Sequence, residues 1–491
     1  MLRNLVPGLV LGCSLLTACA LDDSTAESAD TLTGHPGRYI VVFKSDRVPA
    51  DAAARVAKAG GTANRTLSDV GVMTATGDAA FAAKLAKDTA VLAVGPEQLY
   101  NVPDVTSMEV ADDELGTVEG APTAADNLYF YQWDMRRMEV PSVWARMPLS
   151  STQPRVAVLD TGFMHDHPDL VGQACELRSF TYCNSSGGVP SSPAYPKYST
   201  LIDFDQFPTW NPSDGCTAAT TKYEAHGTHT SGTVAAKLGG GRVVGVAPDA
   251  CVGAYKVFDR YRYTDPVDGV VDAVGAFDGP IFDAIVTATN SGYPVISMSL
   301  GSTQFMGPDG NASWLAWNRV ANYANRKGTL IVGSAGNSAL DLNGPIVHVP
   351  SDLPTVLSVG ATGTNNLPRV GGLFVAQPGS DVLAFYSNYG SANDVSAPGG
   401  DCGPGYPNSC VAQHLILSTT INAVTGAVQY AFFAGTSMAT PHVAAVAAQV
   451  KLLHPELTPG QLRSWIKDHA EDLGNRQLFG QGMVNAALAV Q

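Results

Sequence analysis

The chain has 491 residues, 45% hydrophobic and 15% charged, with a formal net charge of −15 at pH 7. Its length argues for two folded units behind a leader rather than one core. The composition excludes a wholly disordered chain, and the acidic surplus excludes a protein that holds nucleic acid or anionic lipid through positive charge.

The chain begins MLRNLVPGLVLGCSLLTACALDD, with Arg3 ahead of an apolar run that gives way to small residues. This predicts an export leader over residues 1–19, too short to span a bilayer stably. Leu16-Thr17-Ala18-Cys19 resembles the lipobox of bacterial lipoproteins, which implies cleavage before Cys19 and lipid on its thiol. An ordinary small-residue cleavage site nearby is the plainer alternative. Residues 20–37 read as a polar tether.

RYIVVFK, from Arg38, reads as a strand, and PADAAARVAKAGG as a helix stopped by glycine. A weaker strand near NRTLSD, a clear one at GVMTATG, a helix starting near Asp78 and a closing strand at AVLAVGPEQLY complete the order β-α-β-β-α-β. That order predicts a small ferredoxin-like α+β unit over residues 38–102. Residues 103–126 are acidic and lack periodicity, which predicts an exposed linker open to proteolysis.

From residue 127 to 491 the pattern changes. RVAVLD, VVGVAP with VGAYKVF, YPVISMSLG, GTLIVGSAGN and PTVLSVGA are nearly unbroken apolar runs, as expected of strands buried on both faces. They predict a doubly wound, mostly parallel α/β sheet with helices on both faces. TPGQLRSWIKDHAEDLG reads as a helix close to the end.

Beyond Cys19 stand Cys175, Cys183, Cys216, Cys251, Cys402 and Cys410. In an exported chain an even set predicts disulfides. Proximity pairs Cys175 with Cys183 and Cys402 with Cys410, leaving Cys216 for Cys251. No CxxC spacing supports a metal site instead.

In a doubly wound sheet, reactive groups gather at the carboxyl ends of the strands. Asp160 closes RVAVLD there, although Asp-Thr-Gly alone is ordinary turn chemistry. In HGTHTSGTVAA, small residues after His226 let a helix pack closely on the sheet and bring an imidazole to its N-terminal end. His226 and His229 one turn apart could instead ligate a metal, but no third ligand sits at a fitting spacing. HDHPD, residues 165–169, reads as a turn rather than a metal site.

AGTSMATPHVAAVAAQV puts Ser437 in the first turn of an apolar helix, where unpaired N–H groups and the positive end of the dipole favour an oxyanion. A serine hydroxyl becomes a nucleophile when an imidazole takes its proton and a carboxylate holds that imidazole. Asp, His and Ser can supply those roles. Pro441 lacks an N–H, so the Ser437 carbonyl loses its helical partner and an irregular turn is expected there. Asn337, in VGSAGNS, could donate to the oxyanion beside the Ser437 N–H.

VAVLDTGFMHDHPDL, HGTHTSGTVAA, SAGNS and GTSMATPHVAAVAA, in that order and joined by NYG and SAPGG, resemble the subtilisin-like serine proteases. The resemblance runs from about Leu128 to the C-terminus, and residues 38–102 are similar to the family's inhibitory propeptide. It implies a triad of Asp160, His226 and Ser437 with Asn337 as oxyanion donor. It also implies a substrate cleft lined by Ser297, Met298, Ser299, Leu300 and Gly301 and by Gly333, Ser334, Ala335 and Gly336.

The expected product is a secreted bacterial serine endopeptidase, monomeric and made as an autoprocessed zymogen, with a precursor anchored by lipid in the lipobox reading. Its partners are protein or peptide substrates and its own propeptide, and no cofactor enters catalysis. Many relatives bear a calcium loop where this chain has KLGGGRVVG, residues 237–245, so a structural calcium is left without a located site. An α/β-hydrolase esterase fits less well, because Gly-Thr-Ser-Met-Ala is not G-x-S-x-G. A catalytically silent peptide-holding module is the alternative outside enzymology.

Overall fold

The computed structural model describes residues 37–101, 106–110, 121–144, 146–147, 153–180, 225–265, 269–305, 312–422 and 427–491. The leader with Cys19, and Cys183 and Cys216, lie outside the described residues.

In the small unit, β1 (Arg38–Phe43), α1 (Ala52–Ala59), β2 (Thr62–Leu67), β3 (Val72–Thr76), α2 (Ala79–Leu85) and β4 (Val91–Pro96) follow in the expected order. The sheet runs β2-β3-β1-β4 with antiparallel neighbours. α1 ends at Gly60, whose φ of 104° suits a residue without a Cβ. α2 starts at Asp78, which accepts the Phe81 N–H at 2.7 Å. β1 is apolar without alternation because both faces of its sheet are covered. Val41, Phe43, Met73 and Ala75 pack beneath the unit's own helices with Val56 and Phe81. Ile40, Val42 and Val72 face the other way and enter a core shared with the large unit.

Two strands link the units: β5 (Leu99–Asn101) and β6 (Thr106–Glu109). The large unit continues with β7 (Arg155–Asp160), β8 (Ala174–Ser179), α3 (His226–Ala235), β9 (Cys251–Lys256), β10 (Asp259–Asp265) and β11 (Gly269–Phe277). Then come α4 (Asp278–Asn290), β12 (Val295–Met298), β13 (Ser302–Phe305), α5 (Ala312–Lys327), β14 (Leu330–Ser334), β15 (Ile346–Val349) and β16 (Val356–Thr364). β17 (Val395–Pro398), β18 (Ile416–Ile421), β19 (Val428–Ala434), α6 (Thr436–Leu453) and α7 (Pro459–Asp468) complete the elements that matter here.

Seven strands of the ten-stranded main sheet run β8-β9-β7-β12-β14-β16-β17, each parallel to its neighbours, and short antiparallel strands join at Asp381–Leu383 and Ala470–Glu471. Its strands read as continuous apolar runs because successive side chains enter opposite cores. Val156 and Val158 pack on the side of α3 and α6. Ala157 and Leu159 pack on the side of α4 and α5. Strand order reverses around β7, whose carboxyl end carries Asp160. VVGVAP is not the expected strand: Val243, Val244 and Val246 are buried, but the N–H groups of Gly245, Val246 and Ala247 bond to carbonyls near the end of α3.

The linker also differs from expectation. Residues 106–109 pair antiparallel with β19, from Glu109 opposite Ala431 to Thr106 opposite Ala434. Met108 packs against the large core. Main-chain pairing with an open hairpin edge needs no periodicity, so the acidic composition concealed the strand.

Of the expected disulfides, Cys402–Cys410 is present. Cys175 bonds Cys251, which overturns the pairings Cys175–Cys183 and Cys216–Cys251. The reason is topological: β8 and β9 are parallel neighbours, with Ala174 opposite Val252, so Cys175 and Cys251 stand 5.5 Å apart between Cα atoms. Among the described residues no helix is long and apolar enough to cross a membrane.

Candidate active site

Asp160 ends β7 almost wholly buried, and the Thr161 N–H donates to its Oδ1 at 2.6 Å. His226 opens α3 with Nδ1 2.8 Å from Oδ1 and 3.0 Å from Oδ2 of Asp160. A carboxylate only accepts, so Nδ1 holds the proton and Nε2 is left as an acceptor. Thr230, one turn along α3, donates its hydroxyl to Asp160 Oδ2 at 3.0 Å. Gly227 makes this approach sterically possible, since a Cβ there would lie 2.0 Å from the Gly162 carbonyl oxygen.

Ser437 is buried in the first turn of α6. Its Oγ and His226 Nε2 are both buried and without a hydrogen-bond partner. Two such atoms are costly to leave unpaired, unless a ligand or a reacting group completes them. The helix is not irregular as expected from Pro441. It runs unbroken from Thr436 to Leu453, and the carbonyl orphaned by Pro441 accepts the Ser299 hydroxyl at 2.8 Å.

Asn337 is fixed by Thr436, whose N–H and hydroxyl donate to its Oδ1 at 2.9 and 2.7 Å. With the oxygen so used, the amide NH2 is the donating end of the side chain. Gly336 N–H in turn donates to the Thr436 hydroxyl at 3.2 Å. Asn388 braces the same loop, donating to the Ala335 carbonyl at 2.8 Å and accepting the Ser338 and Leu340 N–H groups.

The two segments expected to line a cleft leave adjacent parallel strands, β12 and β14. Within them Met298 and Leu300 turn into the core beneath α4 and α5, while Ser297 and Ser334 are buried. Gly301 and Gly336 lie close to His348, which the sequence did not single out. A Cβ on Gly301 would come within 2.2 Å of its Cε1, and one on Gly336 within 2.8 Å of its Nε2. Burial pushes the His348 imidazole down to about 4, so a neutral ring narrows the gap between these segments. It stands on β15 with no motif to announce it.

His229 does not join His226. Its Nε2 lies 3.1 Å from the carbonyls of Ile416 and Ala431, and its ring stacks on Phe433 at 4.3 Å. Burial pushes it down to about 3, and the neutral ring ties α3 to β18 and β19. His167 Nε2 is likewise 3.1 Å from the Gln429 carbonyl.

Residues 237–245 offer calcium no carboxylate or amide side chain. Gly239, Gly240 and Gly241 offer no side-chain oxygen. The neighbouring Asp169 carboxylate accepts the Tyr430 hydroxyl at 2.6 Å and the Val243 N–H at 3.3 Å. Burial raises that carboxyl to about 6, and among the described residues no three His, Cys, Asp or Glu side chains cluster to hold a metal.

A buried carboxylate–imidazole pair at the carboxyl end of β7 and a buried hydroxyl in the first turn of α6 are the groups with which a hydrolase of the serine type works. The model of the subtilase family matches residues 151–483. Subtilisin BL of Lederbergia lenta is 31% identical over 359 residues, covering 73% of this chain and 98% of the relative. M-protease of Shouchella clausii is 30% identical over 388 residues, covering 79% of this chain and 77% of the relative. The epidermin leader peptide processing serine protease of Staphylococcus aureus shares the fold, with a TM-score of 0.66 at 21% identity over 93% of this chain and 98% of that one. The chain belongs to the subtilase family and is a serine endopeptidase.

Proposed function

We propose that Asp160, His226 and Ser437 form the catalytic triad and that Asn337 donates to the oxyanion, in an exported endopeptidase made as a precursor. His226 Nε2 takes the proton of Ser437 Oγ as that oxygen attacks a peptide carbonyl. Asp160 holds the imidazole through Nδ1 and balances its positive charge. Asn337 and the Ser437 N–H stabilise the tetrahedral oxyanion. His226 then protonates the leaving amine, and water attacks the acyl-enzyme with His226 again as base.

The observation that carries this reading is the pair of buried, unpartnered atoms, Ser437 Oγ and His226 Nε2, beside an imidazole already bonded to Asp160. A serine-directed fluorophosphonate tests it. Labelling at Ser437, absent in Ser437→Ala, is expected; proteolysis surviving in Ser437→Ala overturns the assignment.

In the precursor the small unit acts as an intramolecular inhibitor. Support comes from its shared core with α4 and α5 and from β6 lying on β19 just ahead of Ser437. The apolar leader supports export, and Cys19 is the lipid acceptor. Cleavage between Asn101 and Asn127 then frees the large unit from the membrane. Lipid found on an active chain that still contains both Tyr39 and Ser437 contradicts this order of events.

A further inference from the structure

His442 lies beyond Ser437 on α6, wholly buried, and takes no part in the triad. Its Nδ1 is 2.7 Å from the Met438 carbonyl oxygen and its Nε2 is 2.9 Å from Asp134 Oδ2. A carbonyl and a carboxylate both accept, so each ring nitrogen donates and the ring is an imidazolium facing its counter-charge. A neutral ring would set a lone pair against one of those oxygens. Asp134 comes from the short helix Trp133–Arg137, near the start of the large unit, and is as deeply buried as its partner. On the same helix Arg136 donates to the carbonyls of Tyr129 and Phe130, and Arg137 pairs with Asp381 and Glu471. Neither takes Asp134 from His442.

A buried ion pair is a weak source of stability, because the hydration lost by two charges is about as large as the attraction gained, and apolar side chains of similar volume hold a core as well. The first turn of α6 shows what else the pair does. Three successive residues there are each pinned by a side chain. Thr436 is held by Asn337 Oδ1, through its N–H at 2.9 Å and its hydroxyl at 2.7 Å. The Ser437 carbonyl accepts the Ser299 hydroxyl at 2.8 Å. The Met438 carbonyl accepts His442 Nδ1–H, while its N–H donates to the Gly435 carbonyl at 2.9 Å. The Met438 side chain packs in a cluster with Trp133, whose indole N–H is fixed on the Leu415 carbonyl at 3.2 Å. Ser437 Oγ has no hydrogen-bond partner of its own, so its place is set by the backbone that carries it.

We propose that His442 and Asp134 are positioning residues for the nucleophile. The imidazolium pins the Met438 carbonyl, Asp134 orients the imidazolium, and the pinned residue sets where Ser437 Oγ stands. The pair is a second Asp-His couple beside the triad, one that moves no proton in the reaction. The proposal rests on Ser437 as nucleophile.

Two double variants separate the pin from the stability of the core, since both remove the two buried charges together. Asp134→Leu/His442→Asn keeps a donor, because the asparagine Nδ2 stands where the histidine Nδ1 does. Asp134→Leu/His442→Leu has none. Each is made as the full chain, its active sites are counted with a fluorophosphonate, and kcat and KM are read on one internally quenched peptide that the unaltered enzyme cuts. The asparagine double should keep kcat within about threefold of the unaltered enzyme, and the leucine double should fall about tenfold, with KM nearly equal in all three. Equal kcat in the two doubles overturns the proposal and leaves the pair to the core, and a change confined to KM overturns it likewise. Should the leucine double fail to fold, His442→Gln decides alone: its amide nitrogen takes the place of Nε2 beside Asp134 and leaves the Met438 carbonyl without that donor, so an unchanged kcat overturns the proposal. Failure of the unaltered chain to label at Ser437 overturns the protease assignment instead, and the proposal with it.

Discussion

The two sheets of this molecule are covered in different ways. The main sheet of the large unit has its own helices on both faces, α3 and α6 on one and α4 and α5 on the other. The small sheet covers one face with α1 and α2 and borrows α4 and α5 for the second, through Ile40, Val42 and Val72. Each such side chain contributes about 1.5–3 kcal/mol on burial, a sizeable part of the stability of a unit this short. The small unit therefore buries one face of its sheet only against the large one, whereas the main sheet has helices of its own on both faces.

Ser437→Ala separates chemistry from folding most sharply. Turnover should fall on the order of 10⁶-fold, the scale established with subtilisin, a relative. The variant should remain folded with its small unit still attached, seen as one intact mass. Two separated pieces from purified variant would show that another group cuts the chain.

Asn337→Leu is the next largest, with kcat expected to fall by about 10²–10³, again the scale known from subtilisin. KM should change little, because the donor acts on a charge that develops only in the transition state. A loss confined to KM would place Asn337 in substrate binding instead.

The grip of the small unit should depend on pH through Asp278. Burial pushes this carboxyl up to about 7, helped by the charge of Glu97 and opposed by the Gln98 N–H and the Tyr100 and Ser313 hydroxyls. Glu97 itself pairs with Arg38 at 2.8 Å and accepts the Gly279 N–H. Separation exposes Asp278, returning it toward its ordinary 3.8, so the joined form binds the proton more tightly. This contribution is fully present below about 4 and is lost as pH rises through about 7, by at most about tenfold in affinity per pH unit. Titrating Ser437→Ala large unit with separate small unit between pH 4 and 8 measures it, and an unchanged slope in Asp278→Ala would refute the assignment.

The places of Asp160, His226 and Ser437 were legible because each sits in a local motif whose spacing marks its own strand end or helix start. What the sequence withheld is long-range. Pro441 signalled that the Ser437 carbonyl would lose a partner, but nothing near Ser299 announced that its hydroxyl would replace it. Cys175 meets Cys251 only because β8 and β9 are neighbours, and sequence distance is a poor guide to sheet order. β6 was hidden for a related reason: its partner β19 lies more than 300 residues away, and an acidic linker can still supply main-chain bonds.

Thr436→Val probes the smallest of these long-range effects. Valine keeps the shape of threonine but removes the hydroxyl that donates to Asn337 Oδ1 at 2.7 Å and accepts from Gly336 N–H at 3.2 Å. The Thr436 N–H bond to Asn337 survives at 2.9 Å, so the amide loses one of two anchors rather than both. A fall in kcat of about threefold to tenfold is expected, with KM and fluorophosphonate labelling nearly unchanged, because one neutral hydrogen bond contributes about 0.5–1.5 kcal/mol. Combined with Asn337→Leu the second substitution should add almost nothing, since its only route to the reaction runs through the amide already removed. Full additivity would mean that Thr436 acts on Ser437 directly, through the first turn of α6.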